Sequence, residues 1–251
     1  MLTPILAKHD ISDRIMAITT DNASNNETLV LSLQQAYPES SITRVPCMAH
    51  VIQLSLKQLL GSIRVNPSND QIELVWSEEL QKHREITHLT GIARTLQKVR
   101  NLAIYINASP QRRDDFWAEQ SKDGTKDPLF PIQDVRTRWN STFLMLERAI
   151  RIKPALDSYC KLKWVKMLIR SDEWRQITYL LYITKPFFVF ITTLCKTKDI
   201  TIYSVFNIYN ALFQHIESSI TKLQRKKVRF KLIYGQRTLY ISLYMVLYAY
   251  I

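Results

Sequence analysis

Glycine is scarce in this chain, with only 4 among 251 residues. A phosphate-cradling glycine loop and a turn-dense all-β fold both need more of it, so helix is expected to dominate. Cysteine is almost as rare. The three thiols, at 47, 160 and 195, have no paired spacing, which argues against a disulfide framework and for reduced thiols inside the cell. No basic-then-apolar leader opens the chain, so the Asn-x-Ser/Thr matches at Asn22, Asn26, Asn107 and Asn140 are read as chance. There is no Gly-x-Ser-x-Gly elbow, and no cysteine has a plausible activating histidine beyond Cys47 with His50, which speaks against a nucleophilic hydrolase. Acids stop at Glu217: seven Lys and Arg residues follow it, then an uncharged, tyrosine-rich run from Leu239 to Ile251. That run is shorter than the ~20 apolar residues of a bilayer span, so no membrane anchor is expected.

What is present is an ordinary globular mixture, 46% hydrophobic and 22% charged, able to bury a core. Lys and Arg outnumber Asp and Glu by 34 to 22, a net charge of +12. Such a balance favours a polyanionic partner, nucleic acid first, because neutralising phosphates releases condensed counterions. The plainer reading, that basic charge serves solubility, has equal weight on composition alone.

The chain begins as strand, helix, strand, helix. Ile15, Ala17 and Ile18-Thr19-Thr20 read as a buried strand, and Ser24 or Asn25 as the cap of a helix carrying Leu29, Val30, Leu31 and Leu33. Thr43 to Val45 is a second strand, and Pro46 ends it before a helix from Val51 to Leu60. A charged stretch from Glu78 to Glu85 reads as a solvated helix. Apolar residues from Leu89 to Ile106 recur at helical spacing, with Arg94, Lys98 and Arg100 on other faces. Pro110 opens another helix, and a polar connector runs from Gln120 to Pro131. Three or four helices follow: one through Leu146, Ala149 and Leu156, one from Asp172 towards Cys195 that Pro186 should kink or split, and one from Tyr203 to Ile220. Their aromatics are expected to pack in the core.

Two groups could carry chemistry. Asp21 ends the first apolar run just before a helix start, at the carboxyl end of a strand, where open α/β sheets place their chemistry; an aspartate there is as often a turn or cap residue. Cys47 and His50, three apart at a helix start, make half of a zinc site, but no second pair of ligand spacing exists. Arg138-Trp139 is a further candidate, since a Trp beside an Arg can stack on an unpaired base while the guanidinium holds a phosphate. Equally, Trp139 could open a helix and pack against Phe143.

Four blocks in order carry a resemblance: Asp21-Asn-Ala-Ser-Asn-Asn26, Cys47-Met-Ala-His50, Ser109-Pro-Gln-Arg-Arg-Asp-Asp-Phe116 and Thr137-Arg-Trp-Asn-Ser-Thr142. Together they resemble the hAT superfamily of DNA transposases, products of transposable elements. The resemblance implies a mostly helical α/β chain: an RNase H-like catalytic core interrupted by a large all-α insertion, cutting DNA in the nucleus with three acids and two divalent metal ions, Mg²⁺ by family inference. It makes Asp21 a catalytic, metal-binding acid. It makes Cys47 structural or active-site-adjacent, puts His50 near the active site with a part in positioning DNA, and gives Trp139 a part in handling a flipped base, with Arg138 beside it as a nucleic-acid-binding residue. It also implies homo-oligomers for full-length members. The first acid of the family belongs upstream of Asp21 and the third beyond the insertion, so the expectation is an internal, truncated segment with one acid of three, inactive by itself. On this reading residues 1–120 are a partial RNase H-like core, 121–227 the helical insertion, and 228–251 an atypical basic then apolar tail. The alternative is a domesticated, non-enzymatic DNA-binding or protein-interaction module.

Overall fold

A computed structural model describes residues 2–21, 23–62, 71–77, 89–122, 124, 127, 129–135, 139–195 and 202–225. The charged stretch from Glu78 to Glu85, Arg138 and the tail from 228 to 251 lie outside the described residues. Helix dominates. The elements are α1 (Leu2–Lys8), β1 (Ala17–Thr20), α2 (Ser24–Ala36), β2 (Thr43–Pro46), α3 (Met48–Ser62), α4 (Gly91–Asn107), α5 (Pro110–Ser121), α6 (Trp139–Arg151), α7 (Lys153–Lys163), α8 (Ser171–Leu194) and α9 (Val205–Arg225). Short 3₁₀ turns, Val165–Met167 and Ile202–Ser204, lead into α8 and α9.

Among the described residues the only sheet is β1 beside β2, parallel, with Ala17 opposite Thr43 and Thr20 opposite Pro46. β1 is not the buried strand its apolar residues predict: its four positions alternate between exposed and half-buried. A small cluster of Leu6, Val30, Leu33 and Ile42 supports it from one side. Ala23 occupies the N-cap of α2, ahead of the two capping residues expected from sequence. The cap bond there comes from outside: the Ala23 N–H donates to Asp21 Oδ1 at 3.1 Å.

From Val51 onwards the apolar side chains form one continuous core. Its centre is α8, which packs against α3, α4, α6 and α9. α8 is long and apolar enough to cross a membrane, yet Trp174, Ile177, Leu180, Ile183 and Phe187 are buried along it. Pro186 does not split it. The helix expected through Leu146 and Leu156 is instead two, α6 and α7, broken at Ile152, with Pro154 in the first turn of α7, where a missing N–H costs nothing. Gly91 opens α4 at φ +55°, a left-handed conformation that glycine adopts without a Cβ penalty.

Lys98 and Arg100 are not on a solvent face. Both are buried, at 3% and 5% exposure. A buried charge needs a partner, and each has one. Lys98 Nζ donates to Glu173 Oε2 at 2.7 Å and to the Leu168 carbonyl at 3.1 Å, and Glu173 also accepts the Arg170 N–H at 2.8 Å, closing the N-terminus of α8. Arg100 grips Asp134 with two nitrogens: Nε donates at 2.9 and 3.0 Å and Nη2 at 2.8 Å. Asp134, fully buried, also accepts from Thr142 Oγ1 at 2.8 Å. Alongside, Ser141 Oγ accepts the Val135 N–H at 2.9 Å and donates to the Val135 carbonyl at 3.1 Å. The two ends of the 134–142 segment are thereby tied to each other and to α4.

α9 docks on α8 through His215, whose Nε2 lies 3.2 Å from the Ile183 carbonyl, three residues before Pro186. Burial, with the Lys222 ammonium adding to it, holds this imidazole below its usual pKa, against the opposing pull of the bond to Ile183.

Removing Asp134 strands the Arg100 guanidinium. Asp134→Ala is expected to cost ~3–5 kcal/mol, as for other broken buried pairs, and Thr142→Val ~1–2 kcal/mol for one lost bond. Urea unfolding of the variants beside the parent checks the order; equal midpoints for parent and Asp134→Ala would contradict it. A second expectation concerns pH. Because the folded state lowers the pKa of His215, the unfolded chain binds more protons in the window from ~6.5 downwards. The stability that neutral His215 contributes is therefore complete above that value and lost as pH falls through the folded-state pKa. The thermal midpoint of the parent should drop more than that of His215→Gln between neutral and mildly acidic buffer.

Candidate nucleic-acid interface

Two parallel strands present their carboxyl ends at the same edge, and this brings three of the sequence-marked residues together. Asp21 follows the last residue of β1 and Cys47 the last of β2, and the Cys47 N–H donates to the Thr20 carbonyl at 2.8 Å, extending the ladder by one rung. His50 stands in the first turn of α3, half-buried like Cys47. The Cys47 carbonyl accepts the Val51 N–H at 3.0 Å, so the chain passes directly from strand into helix.

Asp21 is exposed, and its carboxylate already has partners. Besides the Ala23 N–H, the Asn26 amide donates to the same Oδ1 and to the Asp21 carbonyl at 3.3 Å. Sequence reasoning missed Arg44, which ties the edge from the second strand: Nε donates to Thr20 Oγ1 at 3.0 Å and Nη2 to the Asp21 carbonyl at 2.7 Å. A basic residue in a strand next to one that ends in an acid is the only signal that would have found it. Asp21 is thus a strand-tip acid whose carboxylate closes the turn into α2.

Two-metal chemistry requires several carboxylates around cations ~3.5–4 Å apart. Among the described residues no three His, Cys, Asp or Glu side chains converge in a way that could hold a metal ion. One carboxylate, with one oxygen engaged by Ala23 and Asn26, does not fit that requirement.

Arg138 lies outside the described residues. Trp139 is the first residue of α6, and its side chain, with the stacking on a base or packing on Phe143 expected of it, lies outside the described residues. Phe143 is instead buried in a stacked contact with Phe188, centroids 4.4 Å apart. Around these two residues the base of the segment is the buried Arg100, Asp134 and Thr142 assembly, and α3 packs against α6. The third block has a structural account as well. Ser109 caps α5, Pro110 starts it, Phe116 is fully buried against Tyr159, and Arg112 lies over the Tyr105 ring at 3.8 Å. Burial, with the nearby Tyr105 and Asp115 adding to it, pushes the Tyr159 hydroxyl up to about 12.

Residues 45–182 match the family model of the ZBED1 RNase-like helical domain. The chain is 48% identical over 234 residues to a protein of Talaromyces stipitatus named as a transcriptional regulator, tpeD, covering 89% of this chain and 27% of that protein. It is 25% identical over 233 residues to the AC transposase of Zea mays, covering 87% of this chain and 24% of that one. To the human zinc finger BED domain-containing protein 4 it is 25% identical over 168 residues, 67% of this chain and 11% of that protein. The chain therefore spans about a quarter of the length of the first two relatives. No solved structure matches it. With more than half of its length inside one family model, and with transposases of hAT type among its relatives, this chain belongs to the ZBED1 RNase-like helical family and is an hAT-transposase-related protein.

Proposed function

We propose that this chain is a transposase-derived DNA-binding segment that works in the nucleus and does not cut DNA by itself. The observation that carries the reading is the shared strand edge, where Asp21 follows one strand and Cys47 the next, and where the Asp21 carboxylate is held by the Ala23 N–H and the Asn26 amide. The net charge of +12 supports a polyanion as partner. An RNase H-like core in residues 1–120, with the insertion beginning near 121, is part of this reading: a parallel strand pair with an acid at its tip is what such a core would contribute here. Trp139 is assigned to stacking on an unpaired base and Arg138 to a phosphate, in the segment whose flanks are anchored through Arg100, Asp134 and Thr142. The second reading, a domesticated non-enzymatic module, is favoured by one specific finding, the 48% identity to a protein named as a transcriptional regulator.

Full chain incubated with Mg²⁺ or Mn²⁺ and a duplex or hairpin DNA should neither nick nor join it. Metal-dependent cleavage that disappears in Asp21→Ala would overturn the proposal. Binding should be sequence-independent and should weaken steeply with salt, as phosphate contacts require. Trp139→Ala should lose ~1–3 kcal/mol on a substrate with an unpaired base and almost nothing on plain duplex. Equal losses on the two substrates would move Trp139 to a structural role.

A further inference from the structure

The residues Lys161-Leu-Lys-Trp-Val-Lys166 join α7 to its 3₁₀ turn, and they divide sharply by side chain. Leu162 and Val165 point to solvent, 63% and 66% exposed. Trp164 turns inward. Its ring lies 4.6 Å from that of Tyr105 on α4 and 5.4 Å, edge-on, from that of Trp76, which in turn meets Tyr105 at 5.3 Å. Trp76 belongs to the extended segment 71–77, which exposes Ile72, Leu74 and Val75 at 62%, 76% and 65%. That segment is held from beneath, the Glu73 N–H donating to Gln133 Oε1 at 3.0 Å. The three rings therefore fasten to α4, and to each other, two stretches that expose apolar side chains.

Exposed aliphatic side chains gathered in this way mark an interaction surface, and its rim along residues 161–170 is basic. Between Asp157 and Asp172 there is no acid, while Lys161, Lys163, Lys166 and Arg170 are all exposed. Lys163 pairs with Asp115 at 3.0 Å and Arg170 with Asp172 at 3.5 Å, but no carboxylate pairs with Lys161 or Lys166 among the described residues.

We propose that this surface docks an acidic protein segment that carries apolar side chains. Charge and apolarity are both matched only by such a partner. A nucleic acid would answer the lysines but leave Leu162 and Val165 against hydrated phosphates, and the rings that might stack on bases are packed on one another. A second copy is opposed by the repulsion of two +12 chains. The proposal stands apart from the assignment of DNA binding to Arg138 and Trp139.

The test is fluorescence anisotropy with the full chain and a labelled synthetic peptide of Glu and Asp interspersed with Leu and Phe. A control peptide keeps the acids and replaces the apolar residues by Ser. The first peptide should bind, and the control should bind at least ~10-fold more weakly. Leu162→Ser/Val165→Ser and, separately, Lys161→Glu/Lys166→Glu should each weaken the first peptide by a similar factor, the second pair also flattening its salt dependence. Ile72→Ser/Leu74→Ser is an independent check on the neighbouring stretch. All six positions are exposed, and unchanged thermal midpoints would establish that folding is intact. The proposal is overturned if the first peptide does not bind or if either pair of substitutions in the 161–166 segment leaves its affinity unchanged. It is also overturned if single-stranded DNA or phosphatidylserine vesicles bind instead and are lost with those same substitutions.

Discussion

Two cations enter the core from one helix, and the rest of the arrangement follows from where they find their counter-charges. Lys98 and Arg100 are two positions apart on α4, about 200° around its axis, so they leave it on nearly opposite sides. One meets Glu173 at the start of α8, the other Asp134 in the segment before α6. An ammonium or guanidinium stripped of water tolerates no missing partner, so α4 cannot rotate or slide without stranding one of them. Two ion pairs of this kind need not add stability over apolar residues of the same shape; what they add is orientation. The apolar side chains of α8 then fill the space that this orientation fixes, against α3, α4, α6 and α9.

The same constraint connects the core to the candidate interface. Thr142 belongs to the block that made the sequence resemble a transposase, and it spends its hydroxyl on Asp134. Ser141 closes the turn on the Val135 backbone in both directions. Across residues 134–142 the side chains of Asp134, Ser141 and Thr142 are anchors, and the residues assigned to DNA stand between them in the chain. At the other end of the site the division of labour recurs: Asn26 and Arg44 hold Asp21, and the Cys47 backbone extends the ladder that places it. Residues that a motif groups together thus serve two purposes, positioning and contact, and only geometry separates them.

How much of this was legible in the sequence depended on the range of the forces involved. Helical periodicity is local, so α4, α5, α8 and α9 could be read within a few residues of their ends, and so could the strand-tip position of Asp21. Buried charge is not local. Arg100 finds its partner 34 residues away and Lys98 finds one 75 away, and a periodicity argument sends both to solvent because it has no access to either. The half-exposure of β1 was hidden for a similar reason: Ala17 and Ile18 are apolar, but burial of a strand is decided by what covers its faces, which its own residues do not encode. Pro154 was the readable signal for the break between α6 and α7, since a proline just after Ile152 marks a helix start as readily as a helix interior.

Pro186 has a consequence beyond the continuity of α8. Lacking an N–H, it offers nothing to the Tyr182 carbonyl, so the rung that would have joined them is missing from an otherwise regular ladder. His215 of α9 reaches the very next carbonyl, that of Ile183, and the Tyr182 hydroxyl accepts from Lys222 Nζ at 2.7 Å two turns along α9. These two bonds, one to the backbone and one to a ring hydroxyl, fix both the rotation and the rise of α9 along α8, so that two otherwise smooth cylinders meet in one phase beside the proline.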